Sequence, residues 1–125
     1  MVATRAMRRA HRDLVAWQEA MLLVEDVYKE TARFPGSETF GLVGQMRRCV
    51  ISVPSNIAEG AARRSRSELA YFVGVAQGSL SELDTQVEIA RRLGYLDNDS
   101  TLQNRLDRVF SLLLGLARSL KAPKA

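Results

Sequence analysis

The sequence predicts an all-α protein, an up-down-up-down antiparallel four-helix bundle. Three observations carry that reading. Four segments repeat apolar residues at steps of three and four, the period of one helical face. Breaker or capping residues separate them, and the three connections are short, so consecutive helices pack as antiparallel neighbours. No segment alternates apolar and polar residues as a half-buried strand would.

The expected helices span about 13–33, 38–62, 66–93 and 98–120, between a basic arm at 1–12 and a tail at 121–125. The first carries Leu14, Trp17, Met21, Val24 and Tyr28 on one face and stops at Phe34-Pro35-Gly36, a breaker cluster. The second takes Ser37 as its N-cap and Leu42, Met46, Cys49, Val53 and Ile57 as its stripe. Pro54 lies within it. A proline removes one helical hydrogen bond and crowds the carbonyl four residues back, yet the apolar spacing runs through it. One helix kinked at Pro54 is therefore expected rather than two short ones.

The third helix opens at a capping box, Ser65-Arg66-Ser67-Glu68. Its seam is Leu69, Val73, Ala76, Leu80, Leu83, Val87 and Ala90, and Gly94 closes it as a left-handed cap. The fourth opens near Asp97-Asn98-Asp99, with Leu102, Leu106, Val109, Leu113, Leu116 and Leu120 as its seam.

At 125 residues, with 46% hydrophobic and 26% charged residues, the chain suits one domain that buries a core without metals or disulfides. The single cysteine, Cys49, sits in an apolar stripe and reads as a small buried hydrophobe in a reducing, cytoplasmic setting. No apolar run approaches the length of a membrane span, and the first twelve residues lack the apolar core of a secretory signal.

The formal charge of +4 is unevenly placed. Antiparallel topology brings the start of helix 1, the helix 2–3 turn and the end of helix 4 to one pole. That pole collects Arg5, Arg8, Arg9, Arg12, Arg63, Arg64, Arg66, Arg118, Lys121 and Lys124 against Asp13, Glu59 and Glu68. The other end holds Lys29, Arg33, Arg91 and Arg92 against Glu25, Asp26, Glu30, Glu38, Asp97 and Asp99. A concentrated basic surface attracts phosphates and releases their counterions. No aromatic residues interleave with these arginines, so contact with an RNA or DNA backbone is expected rather than base stacking.

Two further patterns concern association. Gln45, Arg48, Ser52, Asn56 and Glu59 form a polar stripe on helix 2, matched by Ser79, Glu82 and Gln86 on helix 3. The stripe is expected to be a hydrogen-bonded network or interface, with Arg48 paired to Glu82. Gly74 and Gly78 on helix 3 lower helix propensity, so close approach of another helix is expected there. Met21-Leu22-Leu23-Val24 and Leu112-Leu113-Leu114 exceed what one seam needs, which points to a homo-oligomer.

Catalytic signals are few. His11 is the only histidine, and there is no glycine-rich phosphate loop and no Glu-x-x-His pair. Neither an enzyme, a metal nor a cofactor is expected.

The run Gln45-x-Arg47-Arg48 followed by Ser52-Val53-Pro54-Ser55-Asn56-Ile57-Ala58-Glu59-Gly60 resembles the signature of a bacterial four-helix-bundle family. That family is also called intervening-sequence or ribosomal-protein-like, because some members are encoded within insertions in large-subunit ribosomal RNA genes. Trp17 with Ala20, Phe34-Pro35 with Glu38, Ala76-x-Gly78-Ser79 with Glu82-Leu83, and Gly94-Tyr95-Leu96 extend the similarity over about Leu14 to Leu120. The resemblance implies a bundle that assembles into rings, pentamers by expectation. It also implies a distant similarity to the accessory protein of diversity-generating retroelements, which works with nucleic acid. The biochemical role of the family is unestablished, and the arginine-rich arm lies outside its motif. The leading expectation is a non-enzymatic, cytoplasmic, oligomeric bundle binding RNA or DNA backbones. The alternative is a structural or adaptor module with a protein partner.

Overall fold

The computed structural model describes residues 9–98 and 101–121 and contains four long helices and, among the described residues, no strand. A 3-10 turn at Ala10–Asp13 leads into α1 (Val15–Thr31). A second, at Gly36–Glu38, precedes α2 (Leu42–Ala61); α3 (Arg66–Arg92) and α4 (Thr101–Lys121) follow. Each helix packs on its sequence neighbours, and α4 closes the ring against α1. Residues late in α1 meet residues early in α2, as Arg47 donates to Thr31 at 3.0 Å. Early α3 likewise meets late α4, where Arg66 donates to the Ser119 carbonyl at 2.6 Å. The bundle is antiparallel throughout.

The cores of three helices follow their expected seams. Met46, Val53 and Ile57 on α2, Val73, Ala76, Leu80, Leu83, Val87 and Ala90 on α3, and Leu102, Leu106, Val109 and Leu113 on α4 are fully buried. Helix α1 differs. Its buried residues are Ala16, Ala20, Leu23, Val27 and Thr31, one position before the expected Trp17, Met21, Val24 and Tyr28. Both series are apolar at helical spacing. The small Ala16 and Ala20 let α1 approach the core, so the bulkier series turns outward along the α1–α2 seam.

The helix ends show local chemistry. Ser65 Oγ accepts from the Glu68 N–H at 3.2 Å and its hydroxyl donates to Glu68 Oε1 at 3.0 Å, which caps α3. At its other end Tyr95 N–H reaches the Ala90 carbonyl at 2.9 Å and Gly94 N–H the Arg91 carbonyl at 3.1 Å. This is a Schellman closure, and Gly94 takes φ +80°, the left-handed conformation that favours glycine. Helix α2 begins later than expected, and Ser37 is not its cap. The turn after Pro35 is 3-10, Gly41 holds the N-cap position, and the Glu38 carboxylate accepts from the Leu42 N–H at 3.4 Å. Helix α2 continues through Pro54 as one element.

One set of ion pairs joins the first helix to the last. Arg105 donates to Asp26 Oδ2 at 2.7 Å and to Glu19 Oε1 at 3.3 Å, and Arg108 donates to Glu19 at 2.9 Å. The Asp26 hydrogen bond raises the Arg105 pKa above its ordinary value. No helix among the described residues is long and apolar enough to cross a membrane.

Candidate functional site

The basic pole is built from three chain segments. The Ala10–Asp13 turn packs on α1 and α2 and is tied by Gln18, whose side-chain amide donates to the Arg12 carbonyl at 2.7 Å. Arg12 stacks on Trp17 with its guanidinium carbon 5.4 Å from the ring centroid, while His11 meets the same ring edge-on at 4.9 Å. A cation over indole keeps its charge while it is held in place. The end of α2 with the following turn brings Arg63, Arg64 and Arg66, and the end of α4 brings Arg118 and Lys121. Arg5, Arg8 and Lys124 lie outside the described residues.

These cations are not equivalent. Arg63 is paired to Glu59 at 2.6 Å and lies 3.8 Å from Glu68, with its guanidinium carbon 5.1 Å from the Phe72 ring centroid. Its charge is largely answered, and Glu59 is drawn to the pole instead of into the polar stripe. Arg66 spans to α4. Arg64, Arg118 and Lys121 are exposed and form no ion pair among the described residues. Seven described cations at this end face Asp13, Glu59 and Glu68, so the excess of positive charge is carried mainly by Arg9, Arg12, Arg64, Arg118 and Lys121. At the far end Lys29 forms no ion pair among the described residues, while Arg33 pairs with Glu30, and Arg91 and Arg92 share Glu88. Those two arginines hold the Glu88 carboxyl below its usual range, Arg92 contributing more.

The polar stripe divides. Its middle is hydrogen-bonded across helices: Ser52 Oγ and Ser79 Oγ are 2.8 Å apart, and Asn56 Nδ2 donates to Ser52 Oγ at 2.9 Å and to the Ser52 carbonyl at 2.8 Å. Its upper part opens into a groove of about 490 Å³ lined by Gln45, Arg48, Cys49, Ser52, Ser79 and Glu82. The expected Arg48–Glu82 ion pair is not formed; neither hydrogen bond nor ion pair joins them, and the Arg48 guanidinium lies back along α2 near Gly44. Cys49 forms part of the floor. Burial, more than the nearby Glu82, pushes its thiol up to about 11, so it stays protonated near neutral pH.

A second, apolar trough of about 320 Å³ follows the α1–α2 seam, lined by Trp17, Met21, Val24, Ile51, Pro54, Ser55 and Ala58. Met21 and Ile51 are 40% and 43% exposed, so this is a wet hydrophobic surface. On α3 the expected close approach at Gly74 and Gly78 is absent among the described residues, since a Cβ on either would meet nothing within 4 Å. Gly60 is the close approach. A Cβ there would lie 2.8 Å from Phe72 Cβ and 3.0 Å from Leu69 Cδ1, which explains why the Asn-Ile-Ala-Glu-Gly run ends in glycine at the α2–α3 corner. Sequence reasoning missed this role and the Arg105 clamp. Opposite charges at helical spacing, Glu19 and Asp26 facing Arg105 and Arg108, were the available signal for the clamp.

A family model described as 23S rRNA-intervening sequence protein matches residues 12–115. No curated protein matched the chain.

Proposed function

This chain belongs to the 23S rRNA-intervening sequence protein family, and from that membership we propose that it is a non-enzymatic, cytoplasmic bundle that binds RNA or DNA backbones through its basic pole. The observation that carries the reading is the asymmetry of charge pairing. Three far-end arginines, Arg33, Arg91 and Arg92, are paired with neighbouring carboxylates, whereas Arg64, Arg118 and Lys121 stand exposed and unpaired among the described residues around one tip. Such a surface gains affinity from counterion release and reads no base sequence. Fluorescence anisotropy with labelled single-stranded RNA and duplex DNA at low salt tests it. Binding to either supports the reading, and absence of binding to both overturns it.

Self-association is a second element of the proposal, supported by the exposed apolar trough on α1 and α2. Contiguous apolar surface of this kind marks an interface, and a ring of bundles would multiply the basic tips on one face. Sedimentation velocity of the wild type beside Met21→Glu and Ile51→Glu is the check. An oligomer that falls to monomer in the variants supports the trough as its interface, while a monomeric wild type removes this element and leaves the polyanion reading standing.

A further inference from the structure

The groove between α2 and α3 lies on the side of the bundle, away from the basic tip, and the polyanion reading makes no use of it. We propose that this groove binds a small zwitterion of the α-amino-acid class, with its carboxylate on Arg48 and its ammonium on Glu82.

Arg48 and Glu82 stand on opposite walls and line one groove, and both act on the same thiol, Cys49. Yet among the described residues no contact joins them to each other, and neither has another ion-pair partner. One cation and one anion leave the groove formally neutral. A polyanion therefore gains little there, and a simple cation or anion meets one favourable and one unfavourable wall. A molecule that carries both charges is favoured at both ends, and guanidinium and carboxylate each make charge-assisted hydrogen bonds with the complementary group.

The floor supports the same ligand. The Ser52–Ser79–Asn56 bonds fix two hydroxyls in the same groove, about one helical turn along from Arg48 and Glu82, so polar partners are positioned before a ligand arrives. Behind Cys49 lies Gln86, 5% exposed, whose Oε1 is buried without a hydrogen-bond partner. Gln86 lies outside the groove lining, so the ligand's direct polar partners are Arg48, Glu82 and the two hydroxyls. The volume of about 490 Å³ falls within the roughly 300–1,000 Å³ of small-molecule sites.

Chemical-shift titration of the ¹⁵N-labelled full chain with pooled L-amino acids at millimolar concentration tests the proposal. The expected result is saturable shifts at amides around Arg48 and Glu82. For the amino acid responsible, the N-acetyl derivative and the methyl ester should each bind roughly tenfold more weakly, since each lacks one charge-assisted contact. Arg48→Gln should abolish discrimination against the ester, and Glu82→Gln discrimination against the N-acetyl form. Both side chains are exposed, so both variants should fold, which an unchanged melting temperature verifies. RNA affinity should be unaltered in both, which separates this site from the basic pole. No saturable shift with any amino acid, or wild-type affinity in both variants, overturns it.

Discussion

Gly60 and Gly78 both interrupt helices with glycine, yet an added methyl group meets opposite surroundings at the two positions. Gly60→Ala would force Phe72 and Leu69 apart and should destabilise the fold by about 1–3 kcal/mol, the range for overpacking. Gly78→Ala meets open space and should stabilise a monomer by about 0.5–1 kcal/mol through helix propensity. Urea denaturation of the two variants distinguishes these signs. Cys49 makes a pH prediction. Its folded pKa of about 11 lies above the ordinary thiol value of 9.0, so the folded state holds a proton that the unfolded state loses first. Its contribution to stability is present below pH 9.0 and is lost as pH rises towards about 11. Cys49→Ala should flatten the alkaline limb of the stability curve measured by urea titration. The glycine and thiol environments were not legible in the sequence, because each depends on which atoms of another helix lie opposite. The burial of Cys49 was legible from its stripe.

At the level of elements, α3 was the most legible helix, since its cap, seam and closing glycine are all local features. Helix α1 was the least, because Ala16 and Ala20 compete with Trp17 and Met21 for the same face and only packing decides between them. The late start of α2 had a similar cause: Glu38 caps it from a turn that Pro35 sets, and Ser37 has no role. The α1–α4 clamp yields a prediction at this scale. Glu19 is well covered, with its side chain 16% exposed, and receives both Arg105 and Arg108. Arg105→Met removes the donor shared by Glu19 and Asp26 and should cost about 1–2 kcal/mol, between a surface pair and a buried charged hydrogen bond. The same substitution at Arg92, 79% exposed, should cost much less. Thermal melts of both variants at low and high salt check this, and the Arg105 effect should be the more resistant to screening.

For the whole molecule, topology did most of the predictive work. Short connections imply antiparallel packing, and antiparallel packing brings chain segments far apart in sequence to one tip, so the basic pole could be named from residue positions. The pairing inside it was only partly legible: Glu59 and Arg63 stand at i,i+4 helical spacing, whereas the approach of Arg63 to Glu68 depends on the turn geometry. Within the polar stripe, Ser52, Asn56 and Ser79 are hydrogen-bonded, and only the Arg48–Glu82 pairing fails. Antiparallel pairing placed Arg48 level with Glu82, but the Arg48 guanidinium lies back along its own helix near Gly44. The most direct test of the central claim is the salt dependence of RNA affinity, measured by anisotropy for three proteins. These are the wild type, a triple reversal at Arg64, Arg118 and Lys121, and a control reversed at Lys29 and Arg92. The account predicts that the logarithmic slope of affinity against salt flattens by roughly 0.7–0.9 for each contacting cation lost in the triple reversal, with the control matching wild type. Equal slopes in all three proteins would contradict it.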